Sequence, residues 1–473
     1  MRNPGVRCAA RWAAFAAAWL ALLLPIVLPA AADTAAVSAP VYVADTCCTL
    51  CPRAANPEVY ITRFMRDHRL LIQGKDDWLF RTEVDLATKF TVDEATYADL
   101  ARMVVDLRAR GTQVLLIDLP PRGLLAARHL LPRERANYDF AAALASYQQA
   151  LQRFRDIGFL VPAYDQLAAQ TDDTEYYFHR DGHWTPDGAR RTAELIAITL
   201  KGSPLYASLR RGSFVTRAVG QQRHPGVLSI VAAQICGGSY PSEVVSGYST
   251  APSENYPFGD EPVPEITLAG TSYSASSAYH FMGFLQTALQ ADVLNTSIAG
   301  GSYDGALMQY LPSDAFQQHP PRLLIWEFSH PQIAAVHRTQ MRRLIPLIGN
   351  GCVGKAALLA SQAKLTPGAD FAEVLFNGGE HLIDEKSRNL IVDLQFGDPA
   401  VKEIIGEAWY LDGKHELLKV RMNDFTRTNG RFVFELNREP DFAEQPLIDL
   451  RVQVVSPLAA ATDVSATLCR SPS

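Results

Sequence analysis

The chain has 473 residues, more than one hydrophobic core usually organises, so two domains are predicted. Its apolar content of 48% is that of a globular protein, and its formal net charge is −6. An acidic chain lacks the basic field that collects phosphate groups, so nucleic acid is not an expected partner.

The N-terminus has the pattern of a targeting segment. Arg2, Arg7 and Arg11 precede a long apolar run that ends in three alanines at residues 30–32. This predicts a cleaved secretory signal peptide over residues 1–32, with an uncleaved membrane anchor as the alternative. Cleavage removes three arginines and no acidic residue, which takes the net charge from −6 to about −9.

Cys8 leaves with the predicted signal, and the cysteines that remain are Cys47, Cys48, Cys51, Cys236, Cys352 and Cys469. An even number in an exported chain predicts disulfides. A bond between Cys352 and Cys469 would close the C-terminal region end to end, and one between Cys51 and Cys236 would tie the N-terminus to the first domain. The CCxxC pattern at 47–51 also resembles a metal or redox cluster, but no second cysteine pair or nearby histidine completes it, and no metal is expected.

From residue 73 a turn leads into a strand, after which helices and strands alternate. Helices are predicted at 96–110, 140–157, 185–200, 278–290 and 305–310, and strands at 114–119, 159–161, 266–269, 293–294 and 322–327. Thr185 is the expected N-cap of the third helix, with Pro186 at its first position. The alternation predicts an α/β domain with a mainly parallel sheet over residues 33–352. Residues 201–263 are interpreted as an inserted loop or cap over the site.

After residue 352 the pattern changes to short strands at close spacing. They are predicted at 372–376, 389–394, 407–411, 416–420, 431–436 and 447–454. Asp412-Gly413 predicts a hairpin with a type I′ turn. Residues 353–473 are therefore predicted to form a small β-sandwich.

A nucleophile, a base and an orienting acid stand in two distant segments. The strand at 266–269 runs into a Gly-Thr-Ser turn that ends at Ser272, which presents a serine at the carboxyl edge of a parallel sheet. A hydroxyl is a poor nucleophile at neutral pH, so it needs an imidazole to take its proton and a carboxylate to orient the imidazole. Asp181 and His183 suit these roles, because residues i and i+2 of an extended loop face the same side.

Each of these residues has an alternative reading. Ser272 could cap a helix and Asp181 a loop, but their joint occurrence in one α/β domain favours catalysis. His179 with Asp181 and His183 also has metal-ligand spacing. The His-Arg-Asp segment mimics a kinase catalytic loop, yet Pro186 stands where that loop needs asparagine, and a kinase is excluded.

Further candidates surround this site. Oxyanion donors are expected from the backbone of Ser272 and from Gly301, although Gly301 could equally lie in a plain turn. Arg122 follows the strand at 114–119, where it could pair with a substrate carboxylate or form a structural ion pair. Tyr279 could contact a sugar, but a half-buried helix aromatic is the favoured reading.

On the sandwich, Trp409 and Tyr410 could stack on sugar rings while Lys414 attracts an anionic chain. Neighbouring strand residues face opposite ways, so only one of the two aromatics can be exposed on that surface, and the other is expected in the core.

Four segments together carry a family likeness: KDDWLFR at 75–81, DGHWTPDGA at 181–189, GTS at 270–272 and LIWEF at 324–328. They resemble the AlgX family of alginate biosynthesis proteins over nearly the whole mature chain. The resemblance implies a periplasmic polysaccharide O-acetyltransferase, with an SGNH-hydrolase-like domain in permuted order followed by a carbohydrate-binding module.

By this resemblance, family roles fall on particular positions: nucleophile Ser272, base His183, orienting acid Asp181, and disulfides Cys51–Cys236 and Cys352–Cys469. The implied reaction needs an acetyl donor but no cofactor, and it passes acetyl through the serine to mannuronate. Implied partners are alginate or a related polyuronate and other subunits of an export complex. Around Trp409 the likeness is partial, since Glu407 and His415 stand where polar or basic contacts are expected.

Two rival functions remain open. An esterase would use the same acyl-enzyme and resolve it with water rather than with a sugar hydroxyl. A non-catalytic polysaccharide-binding subunit would not need Ser272 at all.

Overall fold

The computed structural model describes residues 49–169, 175–253, 263–329, 336, 338–379 and 382–471. The predicted signal peptide, with Cys47 and Cys48, lies outside these ranges. Within them, no helix is long and apolar enough to cross a bilayer.

The helices, in chain order, are α1 Arg63–Arg66, α2 Thr82–Asp85, α3 Glu94–Ala109, α4 Arg122–Leu125, α5 Pro132–Asn137, α6 Phe140–Asp156, α7 Asp165–Ala169, α8 Pro186–Lys201, α9 Pro204–Ser208, α10 Val227–Cys236, α11 Ser272–Ala275, α12 Phe281–Leu289, α13 Gly305–Tyr310, α14 Asp314–Gln318, α15 Arg338–Ile348 and α16 Pro440–Ala443. The strands are β1 Leu71–Gln73, β2 Leu79–Arg81, β3 Gln113–Leu119, β4 Phe214–His224, β5 Glu243–Pro252, β6 Ile266–Ala269, β7 Leu294–Asn295, β8 Leu323–Ser329, β9 Ala357–Leu365, β10 Ala372–Phe376, β11 Leu390–Phe396, β12 Glu403–Tyr410, β13 His415–Arg421, β14 Arg431–Glu435, β15 Leu447–Val454 and β16 Thr462–Arg470.

A four-stranded sheet of order β3-β8-β6-β7 forms the centre of the α/β part. All its pairings are parallel, and Leu160 extends it by a single bridge to Leu115. Its strands read as continuous apolar runs because helices cover both faces, and Leu116 and Ile325 are fully buried. The predicted parallel sheet is confirmed.

The helix after the Asp-His segment begins as predicted. The Thr185 side chain accepts a hydrogen bond of 3.1 Å from the Gly188 N–H, and Pro186 occupies the first helical position. Helix α8 then packs against α12. This start positions the loop at 179–184 at the carboxyl edge of the sheet.

Within the region at 201–263, interpreted as an inserted loop or cap, the described residues form regular structure that the sequence did not predict. Strands β4 and β5 form a long two-stranded antiparallel ribbon, from Phe214 opposite Pro252 to His224 opposite Glu243, and α10 lies between them. Most of β4 is exposed, so it lacks the alternation of apolar and polar residues that marks a half-buried strand.

The C-terminal module contains two four-stranded antiparallel sheets, β10-β15-β12-β13 and β14-β11-β16-β9. All six predicted strands are present, whereas β9 and β16 were not predicted. The predicted type I′ turn is wrong: that turn needs a positive φ at both central residues, and only Gly413 of the pair Asp412-Gly413 has one, at 81°. The loop follows the three-residue hairpin pattern with glycine in the left-handed region.

Both expected disulfides are present: Cys51 bonds to Cys236, and Cys352 bonds to Cys469. The first attaches the segment before α1 to the end of α10. The second joins the start of the module to its last strand, because Cys469 pairs with Ile391 and Ala357 in the sheet.

Ion pairs hold the module against the α/β part. Arg342 on α15 donates two hydrogen bonds, of 3.0 and 2.9 Å, to the carboxylate of Glu416 on β13. Arg102 on α3 likewise donates to Glu435 on β14 at 2.6 Å. The two parts therefore meet along α3 and α15.

Candidate active site

Strand β6 delivers the candidate nucleophile to the carboxyl edge of the sheet. It ends at Ala269, and Ser272 begins the short helix α11 with Thr271 as N-cap. The N–H of a first helical residue has no partner within its own helix. Ser272 therefore presents both a hydroxyl and an N–H at this edge.

A buried carboxylate on the neighbouring strand supports this turn. Glu327 of β8 accepts hydrogen bonds from the Thr271 N–H at 2.8 Å, from its hydroxyl at 3.0 Å and from the Ser274 hydroxyl at 2.8 Å. Burial raises the pKa of Glu327, which these donors partly offset. Only glycine fits at position 270, since a Cβ there would lie 2.4 Å from the Glu327 carboxylate.

The three predicted catalytic residues come together. His183 Nε2 lies 2.7 Å from Ser272 Oγ, and His183 Nδ1 lies 2.6 Å from Asp181 Oδ1. Because an ionised carboxylate only accepts, Nδ1 carries the proton that faces Asp181, and Nε2 is left to accept from the serine hydroxyl. Such an arrangement can take a proton from a hydroxyl and return it to a leaving group.

Asp181 is fully buried and ionised. Burial alone would raise its pKa, but attraction to His183 and hydrogen bonds from His183 and His224 hold the pKa well below its ordinary value. The His183 N–H also donates to Oδ1, at 2.8 Å. The carboxylate therefore stays charged at neutral pH and can orient the imidazole.

A second histidine, missed in the sequence, binds the other carboxylate oxygen. His224 Nε2 lies 2.9 Å from Asp181 Oδ2, and the Val227 N–H donates to the same oxygen at 2.8 Å. His224 ends β4 and stacks on Phe178 at 4.1 Å. No local motif marks it, because its role depends on the ribbon folding back over the loop at 179–184.

Arg122 is a buried support of that loop. Its guanidinium donates to the carbonyl oxygens of Phe178 at 2.9 Å and of Asp181, and lies 3.5 Å from the Asp85 carboxylate. It is 3% exposed. These contacts correct the prediction that it binds a substrate carboxylate, because its donors are directed to the protein; they fit the structural alternative.

The oxyanion expectation for Gly301 is corrected as well. Its N–H donates to the Ile298 carbonyl at 2.9 Å, so it closes a plain turn. The loop itself does adjoin the nucleophile turn, since the Ile298 N–H donates to the Gly270 carbonyl at 3.0 Å. The Ser272 N–H, the other expected oxyanion donor, forms no hydrogen bond in the turn closed by Gly301.

Two tyrosines enclose the imidazole of His183. The Tyr279 ring stacks on it at 5.2 Å, and the Tyr273 ring lies at 4.6 Å. Tyr279 is 4% exposed and lies in the turn between α11 and α12, not on an emerging helix. Its ring face covers His183, which corrects the sugar contact considered for it, and its burial in a turn corrects the favoured half-buried helix position. The Tyr273 hydroxyl donates to the Gly182 carbonyl at 2.6 Å.

The module separates its two aromatics as expected. Tyr410 is buried at 2% exposure, whereas Trp409 points to the outer face of β12 and stacks on His415 at 4.4 Å. Lys414 is exposed but lies 3.4 Å from Asp412 and 3.6 Å from Asp441. Its charge is therefore partly neutralised by its neighbours.

The alternative of a metal site finds no support in the part of the chain that the structure describes. No group of three histidine, cysteine or acidic side chains there could hold a metal ion. His179 faces away from the triad, with its ring 4.6 Å from that of Trp78.

The parallel sheet, the serine at its carboxyl edge and the adjacent histidine and aspartate define an SGNH-hydrolase-like domain, and the antiparallel sheets that follow form a C-terminal carbohydrate-binding module. The family model for the SGNH hydrolase-like domain of acetyltransferase AlgX matches residues 71–330, and that of a C-terminal carbohydrate-binding module, CBM_26, matches residues 351–473. The chain belongs to the AlgX family.

Relatives and a solved structure agree with this membership. The alginate biosynthesis protein AlgX of Pseudomonas syringae pv. tomato is 38% identical over 436 residues, covering 91% of this chain and 90% of the relative. The probable alginate O-acetylase AlgJ of Pseudomonas aeruginosa is 28% identical over 274 residues, covering 54% and 69%. A solved structure of Pseudomonas aeruginosa AlgX has a TM-score of 0.81 and 34% identity, covering 89% of this chain and 100% of that one.

Proposed function

We propose that this protein is a periplasmic O-acetyltransferase that passes acetyl through Ser272 to a hydroxyl of mannuronate in alginate. The observation that carries the proposal is the continuous hydrogen-bonded line from Ser272 Oγ through His183 to Asp181, with distances of 2.7 and 2.6 Å. The names of the relatives, an alginate biosynthesis protein and a probable alginate O-acetylase, support the polymer and the group transferred.

In the first half-reaction, His183 Nε2 takes the proton of Ser272 while Oγ attacks the carbonyl carbon of the acetyl donor. The negative charge that develops on the carbonyl oxygen is stabilised by the Ser272 N–H. Collapse of the tetrahedral intermediate breaks the bond to the leaving group, which takes the proton from His183. Acetyl-Ser272 remains.

In the second half-reaction, His183 takes the proton of a mannuronate hydroxyl, whose oxygen attacks the acetyl carbon. The bond to Ser272 Oγ breaks, and the serine recovers its proton from His183. The products are an acetylated sugar and free enzyme. Asp181 stays ionised throughout and stabilises the imidazolium that forms in each half.

Export and partners belong to the same proposal. The predicted signal peptide supports a periplasmic location for the mature chain, where disulfides form readily. The carbohydrate-binding module would hold the polyuronate, and other subunits of an export complex would supply it.

The test uses the purified mature protein and its Ser272→Ala variant with a chromogenic acetyl ester and unacetylated polymannuronate. We expect ester cleavage and a serine-dependent gain of acetyl mass on the polymer. Ester cleavage without mass gain would instead indicate an esterase. Mass gain that survives Ser272→Ala would contradict the proposed nucleophile, and no activity at all would favour a binding subunit.

A further inference from the structure

A cavity of about 750 Å³ lies between the α/β part and the module. Its walls come from α1, from the loop at 300–304, from α15 and from the module loop at 421–425. The loop at 300–304 continues directly from Ile298, which hydrogen-bonds to Gly270, two residues before the nucleophile. One wall of the cavity therefore belongs to the loop that hydrogen-bonds to the turn before Ser272, and the opposite wall belongs to the carbohydrate-binding module.

A buried arginine with little compensation lines this cavity. Arg343 is 4% exposed, yet its Nη1 reaches only the Arg421 carbonyl, at 3.2 Å, and its Nη2 reaches the Met422 sulfur, at 2.7 Å. A thioether is a weak acceptor. Its Nε is buried with no hydrogen-bond partner among the described residues. A buried cation in this state is costly unless an anion joins it.

The surroundings do not neutralise Arg343. Among the described residues no carboxylate forms an ion pair with it, although Asp304, which also lines the cavity, favours its charged form. Burial raises the pKa of Asp304. A second cavity residue, Gln340, has a buried side-chain oxygen with no hydrogen-bond partner in the described ranges.

The neighbouring Arg342 shows the contrast. It too joins α15 to the module, but its guanidinium is matched by the carboxylate of Glu416 through two hydrogen bonds. Arg342, which joins the two parts, therefore has its charge balanced by a carboxylate of the protein. Arg343 differs because it lines the cavity, its Nε has no hydrogen-bond partner among the described residues, and no carboxylate there forms an ion pair with it.

We propose that the cavity between the loops at 300–304 and 421–425 is a subsite for a uronate unit of the acceptor chain, and that Arg343 binds the carboxylate of that unit. A planar guanidinium suits a carboxylate because two N–H groups can donate side by side. Gln340 adds an acceptor for a sugar hydroxyl. The inference rests on the proposed acetyl transfer to a polyuronate, and it would make the enzyme select acidic over neutral sugars near the acetylated position.

The test measures binding by calorimetry in the Ser272→Ala background, so that no turnover occurs. The probes are mannuronate hexamers, the same hexamers with their carboxyls reduced to alcohols, and sodium acetate. We expect the acidic hexamer to bind more tightly than the reduced one, and Arg343→Gln to weaken the acidic hexamer by about 10- to 100-fold. Arg342→Gln, the matched control, should leave both affinities within about twofold, because Arg342 is already paired with Glu416.

Several results would overturn the subsite: equal affinity for acidic and reduced hexamers, an unchanged affinity in Arg343→Gln, equal losses in Arg342→Gln and Arg343→Gln, or acetate binding as tightly as the hexamer. Arg343→Lys is the second variant should the glutamine variant not fold; it keeps the charge but loses the planar fork, and we expect an intermediate loss. Carboxylate-dependent binding in the Ser272→Ala variant, together with no acetyl transfer by the native protein, would refute the proposed function and leave the subsite standing.

Discussion

The candidate active site and the outer face of the module hold their charged groups in opposite ways. Around Ser272 the carboxylates of Asp181 and Glu327 are fully buried, and each accepts at least three hydrogen bonds. On the outer face of the module, Lys419 pairs with Glu403 at 2.9 Å while its own side chain is 65% exposed. The first arrangement sets one geometry, whereas the second leaves weak and adaptable contacts.

This difference has a physical cause. Proton transfer requires reacting atoms held within a few tenths of an ångström, which only a water-excluded and fully hydrogen-bonded network provides. A polymer surface gains affinity from several exposed contacts, each worth little and screened by salt. Substitutions in the two regions should therefore differ in size and in kind.

The largest effect is expected for Asp181→Asn. An asparagine has the same shape but only one oxygen acceptor and no charge. It therefore no longer holds His183 in the tautomer with the proton on Nδ1, and it does not stabilise the imidazolium. We expect kcat for acetyl transfer and for ester cleavage to fall about 10⁴-fold. Steady-state kinetics checks this, with Glu194→Gln on the exposed side of α8 as the control. A loss of under tenfold would show that the carboxylate is not part of the catalytic line.

In the module, removing the Cys352–Cys469 disulfide tests stability rather than chemistry. The bond closes a loop with a sequence separation of 117, so its loss in Cys352→Ala/Cys469→Ala should lower the free energy of unfolding by about 4 kcal/mol. Denaturant unfolding measures this. Ester cleavage should persist below the midpoint, and if it disappears with the disulfide, the two regions do not behave separately.

An intermediate effect is expected for His224. Replacement by phenylalanine keeps the stack on Phe178 but removes the donor to Asp181, which should lower kcat about 10- to 100-fold with little change in KM. Glutamine can place an N–H near the same point, so His224→Gln should recover much of the activity. Equal losses in both variants would mean that His224 only fills space.

A smaller effect is expected for Trp409. Its half-buried ring lies on the outer face of β12, so Trp409→Ala should weaken the binding of polymannuronate about three- to tenfold and leave cleavage of the small ester unchanged. Leu417→Ala is the matched control, since Leu417 is 62% exposed on the neighbouring strand. Binding unchanged in the tryptophan variant would remove this surface from polymer recognition.

The smallest effect is expected for the pH dependence of the free energy of unfolding. The folded pKa of Asp181 is depressed, so its stabilising contribution is present above the unfolded pKa of about 3.9 and is lost as the pH falls through the folded value. Glu327 has the opposite sign: its raised pKa favours the fold at low pH, and this contribution is lost as the pH rises through the folded value. Unfolding free energies measured from neutral to acid pH should therefore fall less in Asp181→Asn than in the native protein. Parallel curves would contradict the assignment.

Much of the fold was predictable because it follows local patterns. The strand at 266–269 has the predicted bounds, and Thr185 caps α8 as its Thr-Pro sequence indicates. Strands β9 and β16 were missed. Strand β9 is mostly exposed or half-buried, so no continuous apolar stripe marks it as a strand.

In the candidate site, too, some residues were predictable from the sequence and others were not. Residue type and spacing were enough to select Ser272, His183 and Asp181, since few side chains can act as nucleophile, base and orienting acid. The sequence left open whether Arg122 would meet a substrate or the protein, and its burial under the loop at 179–184 decided this.

The sequence by itself indicated the alternation of helices and strands and the candidate catalytic trio, because each depends on local spacing or on the chemistry of single side chains, whereas the pairing of the cysteines followed from the family resemblance. Only the tertiary structure brought His224 to Asp181 and left Arg343 lining a cavity without an ion-pair partner among the described residues. These features arise where segments distant in sequence meet, and the available partners, not the residue type, decide what each side chain does.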